Sequence, residues 1–83
     1  MHFGTQFTGT LTPNQSANYY TFGWPAAWDV AWTMIPTTGG TGAQVQCNVS
    51  TQLSGTTLTY WIAVKNMTSS NVNFQGRYAV LNG

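Results

Sequence analysis

Along most of this chain hydrophobic and polar residues alternate in steps of two, the period of a pleated strand with one buried face. Residues 43–50 show it most cleanly: Ala43, Val45, Cys47 and Val49 oppose Gln44, Gln46, Asn48 and Ser50. The same pattern predicts strands over residues 7–12, 18–24, 28–35, 56–65 and 72–81. In the first of these, Phe7, Gly9 and Leu11 share a face, and in the second Tyr20, Phe22 and Trp24 form the expected core set. Residues 28–35 set Trp28, Val30, Trp32 and Met34 against Asp29, Ala31, Thr33 and Ile35. Residues 56–65 turn Leu58, Tyr60, Ile62 and Val64 inward and leave Trp61 outside. In the last strand Val72, Phe74, Tyr78 and Val80 oppose Asn73, Gln75, Arg77 and Ala79, and Gly76 marks a bulge or a close backbone approach.

The punctuation agrees with this. Pro13-Asn14-Gln15-Ser16 reads as a turn, because Pro presets φ and Asn tolerates unusual dihedrals. Pro25 lacks an N–H and ends a ladder; residues 36–42, 52–55 and 67–71 read as further loops and residues 2–6 as a loose lead-in. No stretch carries a helical period. Strands at about 8–12-residue spacing predict an all-β fold, a small antiparallel β-sandwich of about six strands forming a single domain over residues 1–83.

Charge changes the picture most. Only 4% of residues are charged, against about 25% in ordinary domains, and the net charge is +1, from Lys65 and Arg77 against Asp29. Two cations make no basic patch, so neither nucleic acid nor an anionic membrane surface is an expected partner. No apolar run reaches 18 residues, so no membrane-inserting helix is expected. Near-zero charge favours self-association, so a homo-oligomer is expected. The start of the chain lacks the basic and apolar regions of a secretory signal, which suits a cytoplasmic protein or the mature part of a secreted one. Cys47 is alone and alternates with Val45 and Val49, as a buried thiol would; an interchain bridge is the other option.

The run FTGTLTPNQSANYYTF, with Gly9, Leu11, Tyr19, Tyr20 and Phe22, resembles the opening of bacterial pre-peptidase C-terminal domains, which are small β-sandwiches. The resemblance covers under a third of the chain. The Asp-rich segment that follows in that family is replaced here by AQVQCNV, so its calcium and polymer sites do not carry over. Residues 59–81 are similar to the closing hairpins of many bacterial immunoglobulin-like modules. Both resemblances imply a sandwich.

The residues available for chemistry are few. Two-carboxylate glycoside hydrolysis needs a pair of acids, and Asp29 is the sole one. A nucleophilic triad would have to recruit His2 near the terminus, and one His, one Cys and one Asp make no metal cluster. No catalytic activity, metal or cofactor is therefore expected. The three N-x-S/T triplets, at Asn14, Asn48 and Asn66, follow from the abundance of Ser and Thr.

What remains is recognition by aromatic faces and neutral hydrogen-bonding groups. Four Trp, four Tyr and four Phe exceed what one small core needs. Sugars suit such a surface, since their C–H faces stack on aromatic rings while hydroxyls take amides and carboxylates. The expected function is a non-catalytic, lectin-like module with a glycan as partner. Its candidate contacts are Tyr19, Trp28, Asp29, Trp61 and Arg77. Three of them have another possible role: core burial for Trp28, an ion pair with Arg77 or Lys65 for Asp29, and a subunit interface for Trp61. The alternative function is a structural or assembly module whose surplus aromatics lie at subunit contacts.

Overall fold

The computed structural model describes residues 2–82. They form β1 (His2–Leu11), β2 (Ser16–Pro25), β3 (Val30–Thr38), β4 (Val45–Ser54), β5 (Thr57–Asn66) and β6 (Val72–Val80). All pairings are antiparallel, in two three-stranded sheets ordered β1-β6-β3 and β2-β5-β4. The all-β sandwich expected from the alternation is the observed fold, with no helix among the described residues. Only β4 and β5 are joined within one sheet, through Gly55-Thr56; every other connection crosses between layers. Gly55 has φ +64°, which a two-residue hairpin of the II′ kind requires at its first central position.

The core lies between the two sheets. Leu11, Ile62, Val64, Val72, Phe74 and Val80 are almost wholly buried, each such side chain contributing about 1.5–3 kcal/mol of transfer free energy. Phe7 and Tyr19 stack at 4.7 Å, and both meet the edge of Phe74. This packing depends on two glycines. A Cβ on Gly76 would lie 2.5 Å from the Phe7 ring, and one on Gly9 would lie 2.6 Å from the Tyr19 hydroxyl. The close backbone approach expected at Gly76 is therefore present, and the accompanying register shift lies opposite, between Thr5 and Phe7 of β1.

Asn66 closes the far end. It is fully buried, and its Nδ2 donates to the carbonyls of Leu11, Thr12 and Ser70 at 3.2, 3.1 and 2.7 Å. Its Oδ1 accepts from the Thr68 N–H at 2.9 Å and the Thr68 hydroxyl at 2.6 Å. One amide thus ties the β5–β6 turn to the β1–β2 turn. In the latter, Asn14 has φ +59° and the Gln15 N–H donates to Thr12 O at 3.0 Å, the turn chemistry Pro13-Asn14 predicts.

Four expectations need correction. The lead-in over residues 2–6 is part of β1; its bulge breaks the alternation that would have marked it as strand. β4 runs on to Ser54 and β3 begins only at Val30, which leaves Trp28 and Asp29 in a connecting loop. That loop is held by Asn82, whose Oδ1 accepts from the Asp29 N–H at 2.7 Å and whose Nδ2 donates to Ala27 O at 2.8 Å. The largest correction is in β2: Tyr20 and Phe22 are 63% and 72% exposed, and Tyr19 and Thr21 point inward instead. A bulge between Thr21 and Trp24, with Gly23 at φ +82°, resets the parity so that Thr21 and Trp24 share the inner face. The Trp24 indole N–H donates to Thr21 Oγ1 at 3.0 Å across the bulge.

Candidate functional site

The register of the β2-β5-β4 sheet builds a surface that no single strand encodes. On its outer face Asn18 of β2, Ala63 of β5 and Asn48 of β4 lie in one row, and Tyr20, Trp61 and Ser50 lie in the next. Ala63 is small, so a depression forms over it, flanked by the two asparagines and walled along the strand by Trp61. The result is an open groove of about 330 Å³ lined by Asn18, Asn48, Ser50, Trp61 and Ala63 together with the backbone side of Tyr19 and Ile62.

Trp61 is 47% exposed and makes two side-chain contacts. Its indole N–H donates to Gln52 Oε1 at 2.9 Å, and Tyr20 lies against it with ring centroids 5.3 Å apart and planes inclined by 30°. Phe22 stacks beyond Tyr20 at 6.3 Å, extending the aromatic strip along β2. The site therefore presents an exposed π-face beside solvent-facing amides and a hydroxyl. That arrangement can stack a flat C–H surface while exchanging hydrogen bonds at its rim.

The five residues expected to meet a ligand do not share one surface. Trp61 lies on the outer face of β2-β5-β4. Arg77 lies on the outer face of the opposite sheet, paired with Thr5 and Thr33, where its Nε donates to Gln75 Oε1 at 3.0 Å. There it borders a separate shallow groove of about 370 Å³ with Phe3. Tyr19 is turned into the core against Phe7 and Phe74. Trp28 and Asp29 sit at one end of the sandwich, Trp28 half-buried between His2 at 5.9 Å and the edge of Trp24 at 6.4 Å.

A second aromatic cluster lies inside that end. Trp24, Trp32, Tyr60 and Tyr78 pack edge to face or tilted at 5.1–6.1 Å. The Trp32 indole N–H is buried there with no partner among the described residues, an unpaired donor costing about 1–3 kcal/mol. Burial raises the Tyr60 phenol above its usual pKa, and the Asp29 carboxylate adds to the shift. These rings fill the space between the sheets and form core. Cys47 is half-buried on β4, and among the described residues no three metal-ligating side chains come together.

No family model matches the chain, and no curated protein or solved structure matches it significantly. The site therefore stands on its own geometry. Asn18, Asn48 and Ser50 were not expected in it, because only the strand register places them beside Trp61. The signal for Tyr20 and Phe22 was Gly23, a glycine inside a strand, which marks a bulge and hence a change of parity.

Proposed function

We propose that this protein is a non-catalytic carbohydrate-binding module whose site is the groove beside Trp61 on the outer face of the β2-β5-β4 sheet. The observation that carries the reading is the pairing of an exposed, hydrogen-bonded indole with the amides of Asn18 and Asn48 across Ala63. A pyranose stacks its C–H face on Trp61 and Tyr20, and its equatorial hydroxyls reach the two amides and Ser50. The site lacks charge except for Lys65, next along β5, which suits neutral sugars. The openness of the groove admits an internal unit of a chain as readily as a terminal one. A glycan array, followed by tryptophan fluorescence titration of the hits, tests it. Binding abolished by Trp61→Ala supports the reading, and silence across a broad array removes it.

A second reading has its own observation. Tyr20, Phe22 and Trp61 form a continuous exposed aromatic strip, which in an assembly module would lie beneath a neighbouring subunit. It predicts that Trp61→Ala lowers the molecular mass in solution, whereas the carbohydrate reading predicts lost binding at unchanged mass.

A further inference from the structure

A two-sheet sandwich has four edge strands, and three of them here are blunted. β1 carries a bulge between Thr5 and Phe7, β2 carries the Gly23 bulge and ends in Pro25, and β3 contains Pro36 with a register shift beside it. Such devices stop an edge from adding another strand. β4 has none of them. It pairs with β5 in unbroken register from Val45 to Ser54, with no proline, glycine or charged residue along its ten positions. From Asn48 to Ser54 every residue is exposed, including those whose parity faces the core. Val49 and Leu53, paired with the inward Ile62 and Leu58, are 41% and 66% exposed because the opposite sheet does not cover them.

We infer that β4 is the interface with a second copy of this chain, the two β4 strands pairing antiparallel to give one continuous six-stranded sheet. The occupant follows from the chemistry of the edge. An antiparallel edge is self-complementary in its N–H and C=O groups, and an uncharged strand meets its own copy without repulsion. Pairing centred on Thr51 sets Val49 opposite the partner's Leu53, and Leu53 opposite the partner's Val49, covering both apolar side chains at once. Growth stops at two, because β2, the other edge of the same sheet, is bulged.

The geometry has a functional consequence that rests on the carbohydrate reading. A two-fold axis that pairs strands antiparallel within one sheet runs perpendicular to it, so both outer faces point the same way. The two Trp61 grooves then open side by side, their β5 strands three strand spacings or on the order of 14 Å apart. Two weak sites so placed engage one glycan surface with avidity.

Sedimentation equilibrium of the intact chain tests the interface independently of any sugar. The expected result is a mass twice 9.0 kDa for wild type, and 9.0 kDa for Val49→Lys and Leu53→Lys with unchanged circular dichroism. A monomeric wild type overturns the inference, as does a dimer that survives both substitutions or an open-ended polymer. Should the lysine variants fail to fold, Thr51→Cys decides. Oxidation should link it into a covalent dimer far faster than Thr8→Cys on β1, since Cα atoms across an antiparallel pair lie within disulfide reach. Equal rates overturn the proposal. A monomeric wild type that still binds sugar refutes only the interface; a dimeric wild type that binds none refutes only the carbohydrate reading.

Discussion

Tyr20 and Trp61 are Cα partners across the β2–β5 ladder and meet on the outside of the sandwich with ring centroids 5.3 Å apart. Two aromatics face solvent in register there, one of them also hydrogen-bonded to Gln52, and contacts that order side chains before binding lower the entropy cost of binding.

Trp61→Ala should therefore cost binding far more than stability. Loss of the Tyr20 contact and of partly exposed area destabilises by about 1 kcal/mol, read from urea unfolding. Glycan affinity, read by calorimetry, should fall at least about tenfold, since stacking aromatics are the residues on which binding most often depends. Trp61→Phe should keep part of the affinity.

Asn66 should be the least replaceable polar residue. Asn66→Ala leaves buried carbonyls of Leu11, Thr12 and Ser70 without their donor, and a loss of about 3 kcal/mol or more is expected in chemical denaturation. Asn66→Asp should be no better, because a carboxylate cannot donate to those carbonyls. The burial of Asn66 also means that its N-x-T triplet serves packing and not glycan attachment.

Gly76→Ala should destabilise by about 1–3 kcal/mol through overpacking against Phe7, the strand backbone having no room to retreat. Combining it with Phe7→Leu should recover part of the loss, which a double-mutant cycle by thermal melting would register.

The alternation made most of the fold legible. It identified the inward sets of β5 and β6, the β1–β2 turn and the exposure of Trp61, because those strands keep their parity from end to end. It failed in β2, where the run Tyr19-Tyr20-Thr21-Phe22 places aromatics on both faces and either parity looks apolar. Trp24, three residues beyond Thr21, fixed the wrong parity unless Gly23 is counted as a bulge. The candidate site was legible only in Trp61. Tyr19 and Tyr20 exchanged roles through that bulge, and Asn18 and Asn48 acquire meaning only when β2, β5 and β4 are set side by side.

Alkaline pH should weaken the fold through Tyr60. Its pKa is raised in the folded state from the usual 10.0, first by burial and then by the Asp29 charge, so above that value the unfolded chain releases a proton that the folded one retains. Folded protein then binds more protons than unfolded, and stability falls as pH rises from 10.0 through the raised folded value. Thermal melts across that range should show a shallower decline for Tyr60→Phe than for wild type.

The central claim, a carbohydrate site beside Trp61, is tested most directly by titrating the 15N-labelled protein with oligosaccharides and following its amide and indole resonances. Shifts confined to Asn18, Asn48, Ser50, Ala63 and the Trp61 indole N–H are predicted, saturating together with one affinity. Shifts that instead map to the Arg77 face or to the Trp28–Asp29 loop would contradict the account, as would a spectrum that no sugar in the panel perturbs.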